Sequence, residues 1–168
     1  MLERAKEQSD TAVILISRTS GEFLDNHPDK GSYYLTDDEE AMIKAVTAVF
    51  DKTVAIINSG FPMDIAWTQK YGIDAVVYTG FTGMLSSYAL MEILDGRTNP
   101  SGKLPDTWAR DYYDSPAAHN FINFKEVDEI PGEKDKGVRL YYEEDIYVGY
   151  RYFDSFGKAP AYSFGHGL

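Results

Sequence analysis

The stretch Thr11-Ala-Val-Ile-Leu-Ile16, followed by Ser17-Arg-Thr-Ser-Gly-Glu22, decides the fold. Its first six residues are apolar or β-branched and show no polar alternation, so they read as a fully buried strand. Polar residues and Gly21 then stop the run. In an open α/β sheet, the loop leaving the C-terminal end of a strand is where ligands bind. Glu22 on that loop is a candidate general acid or base. A solvated loop glutamate is the bland alternative, and the rest of the chain has to decide between them.

Working outward, Thr36-Asp-Asp-Glu39 fits a capping box and announces a helix. Acidic residues in its first turn suit the helix dipole. Met42, Ala45, Val46, Val49 and Phe50 follow at helical spacing as one apolar stripe. Thr53-Val-Ala-Ile-Ile57 reads as a second buried strand, ended by Asn58-Ser59-Gly60. Residues 62–69 form a short helical candidate, Ile73–Tyr78 a third strand, and Phe81–Leu94 a helix with Leu85, Ala89 and Ile93 on one side. Asp95-Gly96 closes that helix with a left-handed cap. Strand and helix alternate three times, which predicts an α/β fold: a three-layer αβα sandwich on a mostly parallel, doubly wound sheet. The whole of 1–168 reads as one such domain, with a long irregular excursion at about 110–137. Order resumes over Tyr141–Phe153, and for the Tyr147–Phe153 run a strand with one aromatic face in the core and a lining for the domain interface are both open readings.

Composition bounds the function. The chain has 168 residues, 43% of them hydrophobic, enough for one core. A net charge of −11 argues against nucleic acid and anionic membrane surfaces. There is no cysteine, which removes disulfides and thiolate metal sites. No apolar run approaches the ~18 residues needed to span a bilayer, and Met1-Leu2-Glu3-Arg4 begins no apolar stretch of signal-peptide length. The compartment stays open. Aromatic residues make up 14% of the chain, a load that serves either core packing or stacking on sugars.

Other signals are set aside. Gly96 to Lys103 mimics a phosphate loop, but five residues separate its glycines and Leu104 stands where a hydroxyl should bind magnesium. His27, His119 and His166 lie far apart with no metal-ligand spacing. No metal or other cofactor is expected. A serine-nucleophile elbow is missing as well.

Four strings occur in order: Ser17-Arg-Thr-Ser-Gly-Glu22, Asn99-Pro-Ser-Gly-Lys-Leu-Pro105, Tyr147-Val-Gly-Tyr-Arg-Tyr-Phe153 and Phe164-Gly-His-Gly-Leu168. Together they resemble the C-terminal α/β sandwich domain of glycoside hydrolase family 3, the β-glucosidase family. The resemblance covers nearly the whole chain. It implies a retaining glycosidase in which a TIM-like barrel, placed earlier in the full-length protein, supplies an aspartate nucleophile. The sandwich then supplies the acid/base, which here is Glu22. The implied substrate is a β-glucoside or oligosaccharide ending in glucose or xylose. Arg18, Ser20 and Asp25 are the supporting candidates: Arg18 to orient Glu22 or meet the interface, Ser20 to shape the turn, Asp25 to touch substrate.

The chain also departs from the family pattern. Phe23-Leu24-Asp25-Asn26 replaces a small residue followed by Asp-Arg, and Gly80-Phe-Thr-Gly-Met84 replaces Gly-Gln-Glu. No segment here could be the barrel, and the fibronectin-like module is absent too. The expectation is therefore half of an active site, inert alone. The competing expectation is a non-catalytic α/β domain for carbohydrate binding or an interface.

Overall fold

The computed structural model describes residues 1–22, 26–120 and 142–168, with the backbone of two short strands at 125–127 and 137–139. A short helix α1 (Leu2–Lys6) leads into β1 (Thr11–Ser17). Then come α2 (Asp37–Thr47), β2 (Lys52–Asn58), α3 (Ala66–Lys70), β3 (Ala75–Tyr78) and α4 (Ser86–Leu94). β1, β2 and β3 form one parallel sheet in that order. The register runs from Thr11 opposite Lys52 to Ser17 opposite Asn58, and from Val54 opposite Ala75 to Ile57 opposite Tyr78. The predicted α/β class and parallel sheet are what the chain adopts.

That order has a physical consequence. Crossovers between neighbouring parallel strands are right-handed, so winding steadily in one direction puts successive helices on the same face. Ile14, Ile16, Ala55 and Ile57 point to that face. They pack with Ile43 of α2, Trp67 of α3, and Leu35, Met63, Ile65 and Trp108 from connecting segments. The opposite face of β1 carries Val13 and Leu15, which stay 51% and 60% exposed. β1 is thus buried on one face and open on the other, where the unbroken apolar run predicted burial of both. β2, in the centre, buries Ala55, Ile56 and Ile57 on either side.

Local chemistry sets the boundaries. The Thr36 hydroxyl accepts from the Glu39 N–H at 3.1 Å, and Glu39 Oε2 accepts from the Thr36 N–H at 2.8 Å, the capping box read from sequence. The apolar stripe behind it differs. Met42 and Ala45 face solvent, Ile43 is fully buried, and Val49 and Phe50 lie beyond the last helical turn. Gly96 ends α4 with φ +76° as expected, but α4 begins only at Ser86; Leu85 and Ala89 are exposed and Ile93 half-buried.

The later chain also differs from its reading. Within the excursion, Tyr112–Asp114 and Pro116–His119 are 3-10 turns, and β4 (Lys125–Val127) pairs antiparallel with β5 (Gly137–Arg139). The Tyr147–Phe153 run is not a strand. Gly149, at φ +54°, turns the chain into a short helix, α5 (Tyr150–Ser155), which buries only Phe153. The second and fourth motifs come together: Leu104 N–H donates to His166 O, Gly165 N–H to Leu104 O, and Lys103 Nζ to Gly167 O at 2.9 Å.

Candidate functional site

All three parallel strands end at the same edge of the sheet, and their exit loops are tied together there. The Arg18 N–H donates to Asn58 O at 2.9 Å, joining the first exit to the second. Asn58 Nδ2 donates to Gly80 O at 2.7 Å, joining the second to the third. Ser59, wholly buried, donates from its hydroxyl to Phe61 O. Loop ends held this way fix the position of whatever they carry.

Glu22 sits on the first exit, in a turn, and is exposed to solvent. Arg18, four residues earlier, does not reach outward. It is buried, and each of its N–H groups has an acceptor: Nε on Ser32 O, Nη1 on Ser17 O and Glu39 Oε1, Nη2 on Tyr34 O and Glu39 Oε2. The two bonds to Glu39, 2.7 and 2.8 Å long, form a bidentate pair. Burial pushes the Glu39 carboxyl up, but hydrogen bonds from Arg18 and from the Thr36 backbone outweigh it and hold the group below its ordinary value. The loop root is therefore clamped to the N-terminus of α2. Glu39 was legible only as a capping residue; its second role needed the fold.

Ser20 is half-buried, with its hydroxyl packed over Gly60. Asp25 lies outside the described residues. Asn26 Nδ2 donates to Pro62 O at 3.0 Å, and its carbonyl accepts from the Tyr112 hydroxyl. A cavity of about 490 Å³ opens here, beside Ser20 and Gly21, lined by Asn26, Tyr33, Phe61 and Tyr112 among others. That volume is ordinary for a small-molecule site. Tyr33 and Tyr112 meet edge to face, 5.4 Å between centroids, and burial raises the Tyr33 hydroxyl well above its usual value. Thr107, also on the wall, has a buried hydroxyl with no hydrogen-bond partner among the described residues. Sequence reading missed these tyrosines because partners such as Tyr112 and Asn26, 86 residues apart in the chain, meet there only through folding. Among the described residues, no group of three or more His, Cys, Asp or Glu side chains could hold a metal ion.

An exposed carboxylate thus stands at the C-terminal edge of a parallel sheet, beside an aromatic cavity, in an α/β domain. The chain belongs to the glycosyl hydrolase family 3 C-terminal domain family, whose model matches residues 2–150. It is 41% identical to a β-glucosidase of Ruminococcus albus over 169 residues, covering all of this chain and 16% of that protein. It is 34% identical to β-glucosidase A of Butyrivibrio fibrisolvens, covering 22% of it. Among solved structures, β-glucosidase 3B from Thermotoga neapolitana, in complex with glucose, superposes with a TM-score of 0.84 at 41% identity, over 99% of this chain and 22% of that one. A β-glucosidase from Paenibacillus barengoltzii gives 0.84 at 37% identity, over 99% of this chain and 17% of that one. The chain thus spans roughly a fifth of these relatives.

Proposed function

We propose that this chain is the acid/base-supplying domain of a retaining β-glycosidase that removes terminal β-linked glucose or xylose. The observation that carries the reading is Glu22, exposed on a strand-exit loop whose root is clamped by Arg18 and Glu39. Retaining hydrolysis needs two carboxyls about 5–5.5 Å apart, one attacking the anomeric carbon and one protonating the departing oxygen. Glu22 takes the second role. It donates its proton to the glycosidic oxygen, then removes a proton from the water that hydrolyses the glycosyl-enzyme. The nucleophile comes from a barrel elsewhere in a longer polypeptide, in line with the fifth of the relatives' length that this chain spans. Arg18 and Ser20 set the loop's path rather than touching sugar, and Asp25 is a substrate contact proposed on sequence alone.

The test uses the full-length polypeptide and an aryl β-glucoside with a poor leaving group. Glu22→Ala should lower turnover by roughly 10²–10⁴, the worth of a general acid. Azide should restore part of it by attacking the glycosyl-enzyme without base assistance. Undiminished turnover would sink the assignment. The chain by itself should show no turnover, since it brings no nucleophile.

A second reading, a carbohydrate-binding domain without chemistry, is favoured by the aromatic lining of the cavity at Tyr33, Phe61 and Tyr112. Titrating the isolated chain with glucosides separates the two. Tight binding without a barrel supports a self-contained module, and its absence supports half a site.

A further inference from the structure

Glu22 lies midway between two anchored residues, four positions after Arg18 and four before Asn26. The first anchor is the buried clamp on Glu39. The second is Asn26, half-buried, whose side chain uses both ends of its amide. Nδ2 donates to Pro62 O at 3.0 Å, on the chain that leaves β2, and Oδ1 accepts from the Ser32 hydroxyl at 3.3 Å. The Asn26 backbone carbonyl accepts from the Tyr112 hydroxyl at 3.2 Å. This one residue thus ties the far foot of the Glu22 loop to the second strand exit and to the Tyr112 turn.

Ser32 joins the two anchors. Its carbonyl accepts from Arg18 Nε at 2.8 Å. Its hydroxyl donates to Asn26 Oδ1 and accepts from the His27 N–H at 2.9 Å. Both feet of the loop therefore stand on the same residue, and the distance between them is fixed. A functional group is held in productive geometry when hydrogen bonds lock the residues that carry it. A proton donor needs such a hold, since a misplacement of about 1 Å can cost roughly 10²-fold in rate. Asparagine suits the position because a short amide supplies a donor and an acceptor together. Aspartate, of the same size, would turn the donor facing Pro62 O into a second acceptor.

We infer that Asn26 is a positioning residue for Glu22, the second anchor that holds the acid loop where the glycosidic oxygen departs. The inference rests on Glu22 being the acid. Asn26 acts through that carboxyl and not on the sugar.

The experiment measures kcat/KM for phenyl β-glucoside, a poor leaving group, and for dinitrophenyl β-glucoside, which departs without a proton, in the full-length polypeptide. The variants are Asn26→Ala, Asn26→Asp, Ser32→Ala, Glu22→Ala and the double variant of Glu22→Ala with Asn26→Ala. Asn26→Ala and Asn26→Asp should lower the phenyl value by about tenfold to 10²-fold and the dinitrophenyl value by less than about threefold. Inhibition by glucose, which has no leaving group, should stay as it was. Ser32→Ala keeps the carbonyl that Arg18 uses, and should show the same selectivity at smaller size. Once Glu22 is alanine, Asn26→Ala should cost nothing further on the phenyl substrate, because the group it positions is gone. Asn26→Asp preserves side-chain volume, so with its Tm as a check it decides the matter even if Asn26→Ala does not fold. An equal loss on both substrates, no loss, or a full additional loss in the Glu22→Ala background would overturn the positioning role, while a phenyl-selective loss in Glu22→Ala leaves the acid standing. A Glu22→Ala variant without that selective loss would overturn both.

Discussion

Arg18 carries more of the structure than its place in a surface-looking motif suggests. Its side chain is 4% exposed and spends all five N–H donors on Glu39 and three backbone carbonyls. Lysine, with three donors on a point charge, cannot reproduce that fork. Removing the partner is harsher, because it strands a buried charge. Glu39→Ala should cost about 3 kcal/mol, read from denaturant unfolding. The pair also predicts a pH signature. A carboxyl whose folded value is depressed stabilises the fold above its unfolded value, and that stability is lost as pH falls through the folded value. The Tm gap between the parent and Glu39→Gln should be widest at neutral pH and should close on acidification below about 4.3, the ordinary glutamate value. A gap independent of pH would contradict the ion pair. The sequence offered Arg18 as a residue that orients Glu22 or meets an interface. It could not show the clamp, because Arg18 and Glu39 meet across 21 residues.

α2 shows what was legible at the scale of an element and why the rest was not. Its start could be read directly, since Thr36 and Glu39 satisfy each other through local backbone alone. Its buried face could not. The inward stripe is Glu39, Ile43 and Val46, and it opens with a charged residue that hydrophobic periodicity counts as outward. Pairing with Arg18 turns Glu39 inward and so rotates Met42 to the surface. Ile43→Ala should therefore cost about 2–5 kcal/mol. Met42→Ala should stay within about 0.5 kcal/mol, and Thr36→Ala should cost about 1 kcal/mol. Equal effects at positions 42 and 43 would contradict this orientation. α5 failed for a different reason. Tyr150 and Tyr152 alternate like strand residues, and only the positive φ of Gly149 turns the segment into a helix. The parallel sheet was legible because three apolar runs, each ended by a polar or glycine-bearing loop, leave few alternatives.

At the scale of the molecule, the sheet is covered on one side by α2 and α3 and leaves Val13 and Leu15 open on the other. Changing either to threonine in this chain should shift Tm little, whereas Ile14→Thr or Ile16→Thr should shift it strongly; thermal melts decide. The Glu22 loop was visible in sequence as one strand exit. The aromatic cavity and the Asn26 hydrogen bonds were not, because they assemble from separate strand exits and from residues 107–118. The central claim is that Glu22 delivers a proton to the leaving oxygen. Its most direct test is a series of aryl β-glucosides of rising leaving-group pKa, hydrolysed by the full-length polypeptide with Glu22 and with Glu22→Gln. The account predicts little loss of kcat/KM for dinitrophenyl glucoside, which departs without a proton, and a loss growing to roughly 10²–10⁴ for the poorest leaving groups. A loss that is the same across the series, or none at all, would contradict it.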